Sequence, residues 1–206
     1  MREFIEGMLE WVQGLSDGQI ILITICTLLV LAIFVAIISV IVTFICFVWW
    51  VNTRNTYIHL LKRVTVGWEE LEVCLKQRVA LCEEMLSAAS AAVGENETLQ
   101  NLDELRKEAA LGTTVEDKIA RNKKFTLALR AFYASIPETF PALETDEAFQ
   151  AKRAEMAALE KEIDVSRQYY NGVVKYYNNR LASFPSKIVG ERMGDGFEVQ
   201  PFFKFH

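Results

Sequence analysis

The chain has 206 residues, 51% of them hydrophobic, with only ten Gly and four Pro, which excludes a disordered or loop-dominated protein. A net charge of −5 leaves no basic face for nucleic acid. Four Cys without a CxxC pair and two His (His59 and His206) are too few for a zinc site or a disulfide framework, so reduced thiols in a reducing compartment are expected.

Residues 1–19 are patterned. Phe4, Met8, Trp11 and Leu15, joined by Ile5 and Val12, form an apolar face at helical spacing, with Glu3, Glu6, Glu10 and Gln13 filling much of the rest. This predicts a short amphipathic helix outside the membrane, ended by the break Ser16-Asp17-Gly18. Surface-bound helices usually carry Lys and Arg on their polar face; this one carries acids, so lipid and neighbouring copies are equal candidates for its contact.

Ile20 to Val51 then holds 32 residues with no charge, Gly or Pro. As a helix it would extend ~48 Å, beyond the ~30 Å hydrocarbon core of a bilayer. A signal peptide would have a shorter apolar core and a small-residue cleavage site, so an uncleaved transmembrane helix is expected. Arg2 is the only basic residue before the span, whereas Arg54, Lys62 and Arg63 follow it with no acid until Glu69. The excess of positive charge places the N-terminus outside and the rest of the chain in the cytoplasm.

No strand-like alternation follows. Apolar residues at 64, 68, 71, 75, 79, 82, 86, 89 and 93 predict one helix continuous with the span, with Gly67 costing it about 1 kcal/mol. Gly94, with Asn96 or Thr98 as a cap, marks a stop and restart; Thr113 or Thr114 caps a third helix that Pro137 should end. A connector with Pro137 and Pro141 leads to a last long helix from near Thr145, with Phe149, Met156, Leu159, Ile163, Tyr170, Val174, Tyr177, Leu181 and Phe184 on its stripe. Pro185 closes it, and Gly190, Gly194 and Gly196 should keep the chain from rebuilding a helix. The fold class is therefore all-α: a single N-terminal transmembrane helix (20–51) continuing into a cytoplasmic antiparallel, coiled-coil-like helical bundle (52–184), with an irregular C-terminal tail (185–206). Phe197, Val199, Phe202, Phe203 and Phe205 make that tail too apolar to stay in water, so it must dock as an extended segment on its own bundle, a neighbouring copy or the membrane.

Tyr-Tyr-Asn occurs twice in the last helix, at 169–171 and 176–178, seven residues apart. Tyr170 and Tyr177 fall on the core stripe, where their hydroxyls need partners; Asn171 and Asn178 sit at its edge, within reach of a neighbouring helix or a loop backbone. A catalytic role has little support. No Ser-His-Asp or Cys-His set is plausible and no Gly-rich phosphate loop precedes a helix, while Glu69-Glu70, Glu83-Glu84 and Glu160-Glu162 read as solvated helix faces.

The stretch from Glu162 to Phe203 resembles the C-terminal signature of the LemA family: Glu162-Ile163, Arg167, Tyr170-Asn171, Tyr177-Asn178, Phe184-Pro185-Ser186, Gly196-Phe197 and Phe202-Phe203. Upstream, Glu138 to Phe149 is similar to the family's acidic, aromatic and Pro-containing connector, and Trp68, Leu75-Lys76 and Arg78 to its first cytoplasmic helix, so the likeness covers roughly residues 52–203. Where the family has an Asp-Leu-Ile-Pro-Asn-Leu run, this chain reads Val79 to Leu86, with Glu83 in place of the Pro. The resemblance implies a bacterial inner-membrane protein with one N-terminal span and a cytoplasmic antiparallel helical bundle, and no catalytic residues. Two functions fit: a non-enzymatic scaffold that self-associates into a homo-oligomer on membrane lipid, or an adaptor for another membrane protein such as a protease or sensor. Neither needs a cofactor or metal.

Overall fold

The computed structural model describes residues 7, 14, 16–194 and 196–204, so the amphipathic helix expected over 1–19 lies almost wholly outside the described residues. All regular structure among them is helical: α1 Asp17–Val93, α2 Glu97–Ala110, α3 Val115–Thr139, a 3-10 turn Pro141–Glu144, α4 Glu147–Ala182 and α5 Ser186–Met193. Two compact units divide between Thr53 and Arg54.

The first unit is the apolar part of α1. Its most apolar 18-residue window has a mean hydropathy of 3.2 and none of it is buried, so the helix is long and apolar enough to cross a membrane. Leu28, Phe34 and Val40 are each at least 60% exposed, an apolar surface that water does not tolerate at this extent. Its few hydroxyls turn inward on the backbone. Thr24 donates to the Ile21 carbonyl at 2.8 Å, Thr27 to the Thr24 carbonyl at 2.9 Å and Thr43 to the Ser39 carbonyl at 2.8 Å, so the three threonine hydroxyls are satisfied within the helix.

The second unit is built on the rest of α1, whose Tyr57, Leu60, Val64, Trp68, Leu71, Leu75, Cys82, Met85 and Ala89 form one buried stripe. Helices α2, α3 and α4 each open on a side-chain cap: Asn96 accepts from the Thr98 amide (2.9 Å), Thr114 from Asp117 (3.2 Å) and Asp146 from Phe149 (2.7 Å). At one end the core gathers Phe132, Phe140 and Phe149, with Phe132 edge-on to Phe149 at a centroid distance of 6.2 Å. Gly67 proves to be a point of close approach. A Cβ there would meet the Tyr169 ring at 3.2 Å and the Tyr170 backbone at 3.6 Å, so α1 and α4 approach closely where the side chain is missing.

Three sequence expectations need correction. Pro137 does not end α3, which runs on to Thr139: a Pro in the last turn forfeits one backbone bond but keeps a helical φ, and the Phe140 amide still reaches the Ile136 carbonyl at 2.9 Å. The chain does rebuild a helix after Pro185. α5 forms because Val189 and Gly190 are buried, and Gly190 fits where a Cβ would come within 3.0 Å of Leu181. Phe184 is not a core residue; it follows α4 and is 82% exposed.

Candidate functional site

The two Tyr-Tyr-Asn triplets meet the C-terminal segment. Asn171 donates from Nδ2 to the Phe203 carbonyl (2.9 Å) and accepts from the Phe203 amide at Oδ1 (2.8 Å). Asn178 does the same for Gln200, at 2.8 and 2.9 Å. Between them the Tyr170 hydroxyl donates to the Pro201 carbonyl at 2.9 Å. The spacing has a simple cause. Seven helical residues rise ~10.5 Å, and three residues of extended chain cover ~10 Å, so amides seven apart on α4 match peptide groups three apart on the segment. An Asn carboxamide can meet the N–H and C=O of one residue at once, so each forms a two-point clamp on main chain.

Aromatic contacts complete the groove. Phe203 is fully buried, with its ring centroid 6.4 Å from that of Trp68, which stands edge-on to Tyr170 at 5.5 Å. Phe197 meets Tyr57 edge-on at 6.3 Å, and the Tyr57 hydroxyl donates to the Arg180 carbonyl at 2.9 Å, fastening the end of α4. Burial pushes the Tyr170 and Tyr177 phenols up to about 12. The Tyr177 hydroxyl is buried without a hydrogen-bond partner.

A second centre lies deeper. The Arg78 side chain is wholly buried, its guanidinium donating to Thr126 Oγ1 (2.9 Å), Asn122 Oδ1 (3.0 Å) and Glu160 Oε1 (3.3 Å) and standing 5.0 Å over the Phe125 ring. Its acceptors are themselves oriented: Asn122 donates to the Lys118 carbonyl at 2.9 Å and Thr126 to the Asn122 carbonyl at 2.8 Å. Burial lowers the Arg78 pKa, and Glu160 opposes that fall. One guanidinium thereby ties α1, α3 and α4 together, with the fork geometry that Lys lacks. Nearby, Glu72 takes hydrogen bonds from Lys118 (2.9 Å) and Trp68 Nε1 (3.0 Å), with Lys76 at 2.9 Å; the Lys118 bond is the main cause of its lowered pKa.

These residues decide the family. The model of the LemA family matches residues 67–206, more than half the chain, and takes in Trp68, Arg78 and both Tyr-Asn pairs. The chain belongs to the LemA family. No curated protein matches it. The Glu83 that stands in place of the LemA pattern's Pro leaves α1 unbroken and pairs with Arg106 of α2 at 2.9 Å.

Of the residues singled out by sequence, Trp68, Tyr170, Asn171, Asn178 and Phe203 form one site, with Phe197 against Tyr57 near by. Arg78 stands apart, in the buried network. Arg167 pairs with Asp164 at 3.0 Å one turn away. Phe184 and Pro185 lie on the exposed turn before α5, Gly196 carries a left-handed φ of +122°, and Phe202 is 38% exposed beneath the Lys204 ammonium. Sequence reasoning missed Tyr57, Asn122, Thr126 and Gln200. Asn122 and Thr126 carried a usable signal, being polar residues one turn apart on an apolar stripe; Gln200 acts through its backbone and carried none.

The face of α4 turned from the clamp is different. Tyr169 and Tyr176 are exposed at 42% and 59%, Gly172 between them has no atom within 4 Å of a built Cβ, and Leu60 and Arg63 of α1 border the same notch. No ring or side chain of the described residues fills it. Among the described residues no group of three or more His, Cys, Asp or Glu stands close enough to hold a metal.

Proposed function

We propose that this protein is a non-enzymatic, membrane-anchored scaffold that self-associates into a homo-oligomer at the bacterial inner membrane. Residues 20–51 cross the bilayer once with the N-terminus outside, and residues 52–184 form an antiparallel helical bundle in the cytoplasm. Support for the orientation is that Arg54, Lys62 and Arg63 follow the span whereas only Arg2 precedes it.

The observation that supports this reading is the notch of Tyr169, Gly172 and Tyr176. Two exposed rings flanking a missing side chain form a shaped apolar recess of the kind that protein interfaces fill, and Tyr is enriched at such contacts. In this reading a second copy anchored in the same membrane fills that recess. Gly172→Arg should be tolerated by the fold, since a Cβ at this position meets nothing within 4 Å, and it fills the notch with charge. The test is the mass of the full chain in mild detergent or nanodiscs. A discrete oligomer of one polypeptide, reduced to monomer by Gly172→Arg, supports the scaffold. Stoichiometric co-purification of a different membrane protein, lost in the same variant, overturns it in favour of an adaptor.

A further inference from the structure

We infer that the groove of Tyr170, Asn171 and Asn178 is a binding site for an extended peptide, and that within the assembled protein it takes the C-terminal segment of a second copy in exchange for its own. The inference rests on the self-association proposed above and names a surface through which copies are joined. Recognition is mostly of main chain: both peptide groups of residues 200 and 203 that the asparagines bind are present, in the same register, in the tail of every copy.

The segment is built to be handed over. Pro201 has no N–H to leave unmet and holds Gln200 away from helical backbone, so the stretch is extended before it docks. Gly194 and Gly196 both have positive φ, +75° and +122°, and form a hinge that turns without the strain a side chain would bring. From Met193 to Gln200 the chain spans up to ~24 Å when straight, against a helix diameter of ~10 Å, enough to cross to an adjacent copy. Docking on its own chain also leaves the tail unfinished: Val199 stays 73% exposed and Phe202 38%. In a lone molecule the tether favours the chain's own tail. Once copies stand side by side on one membrane, a neighbour's tail reaches the groove at a similar effective concentration.

Two complementary variants of the full-length protein test this. The donor carries Asn171→Ala and Asn178→Ala, so it cannot hold a tail, and has a photoreactive benzoylphenylalanine in place of Phe202. The acceptor lacks residues 198–206 and keeps its groove. After both are reconstituted in one nanodisc and irradiated, donor–acceptor adducts mapped to residues 170–178 of the acceptor are expected. Placing the two alanines in the acceptor as well should cut their yield by at least about tenfold, since four hydrogen bonds are lost. Intact chain serves as a second acceptor should the shortened one misfold, with a lower yield because its own tail competes. Donor and acceptor sharing particles of oligomeric mass without such adducts overturns the exchange and leaves the scaffold reading standing. Adducts formed in chains that are otherwise monomeric by mass support the exchange and overturn the scaffold. Adducts that ignore the alanines in the acceptor overturn the assignment of the groove.

Discussion

Asn171→Ala removes two hydrogen bonds at once, one donated to the Phe203 carbonyl and one accepted from its amide. At about 1 kcal/mol net for each, the tail should lose about 2 kcal/mol of docking energy, or roughly 30-fold in its closed-to-open ratio. Asn171→Asp is the sharper probe. It keeps the shape and the acceptor for the Phe203 amide, but sets a carboxylate oxygen against the Phe203 carbonyl, so it should open the tail at least as far as Ala. The assay is hydrogen exchange at single amides of the full chain in detergent. The Gln200 amide, held by the untouched Asn178, should exchange roughly 30-fold faster in both variants, because the tail leaves the groove as a unit. Unchanged exchange at Gln200 would mean that the two clamps act separately. Protection retained in the Asp variant would mean that the carboxamide is not what holds Phe203, and the reasoning would fail at its first step.

Other consequences follow from the same geometry. Tyr177→Phe should change thermal stability by under about 0.5 kcal/mol, since its hydroxyl is buried without a partner, whereas Tyr170→Phe should cost about 0.5–1.5 kcal/mol through the lost bond to Pro201; equal effects on melting would contradict this. Arg78→Lys should destabilise the fold by about 3–5 kcal/mol in urea titration, because an ammonium cannot serve Thr126, Asn122 and Glu160 together, while Arg78→Met, which leaves no buried charge, should cost less. Glu72 has its pKa lowered from 4.5, chiefly by Lys118, so it stabilises the fold above its unfolded pKa and that contribution is lost as pH falls below 4.5 through the folded value. Glu72→Gln should accordingly flatten the fall in melting temperature over that acid range, and an unaltered pH profile would count against the pairing. For orientation, a cysteine introduced within residues 1–18 should react with a membrane-impermeant thiol reagent in intact cells and one at the exposed Glu104 should not; Cys82 is unsuitable because it is fully buried.

Features that depend on local pattern were legible along the chain. An uncharged apolar run, spacings of three and four, and capping residues at each restart are one-dimensional signals with direct physical causes, and α1 to α4 follow from them closely. The Tyr-Tyr-Asn repeat also announced itself, with Tyr170 and Tyr177 inward and the asparagines at the edge. What those asparagines hold was decided only by tertiary structure. Their partners are backbone groups of Gln200 and Phe203, and any residue but Pro presents the same N–H and C=O, so no side-chain identity in the tail signals the match. Packing likewise overrode local rules in α5, where Gly190, a helix-weakening residue by itself, is the one that fits beneath Leu181, and at Tyr177, whose polar tip the sequence led one to expect would be matched. The Arg78 network shows the same division. Arg78 stands out in the sequence only through the LemA resemblance; that Thr126, Asn122 and Glu160 converge on it depends on how three helices, distant in sequence, come together.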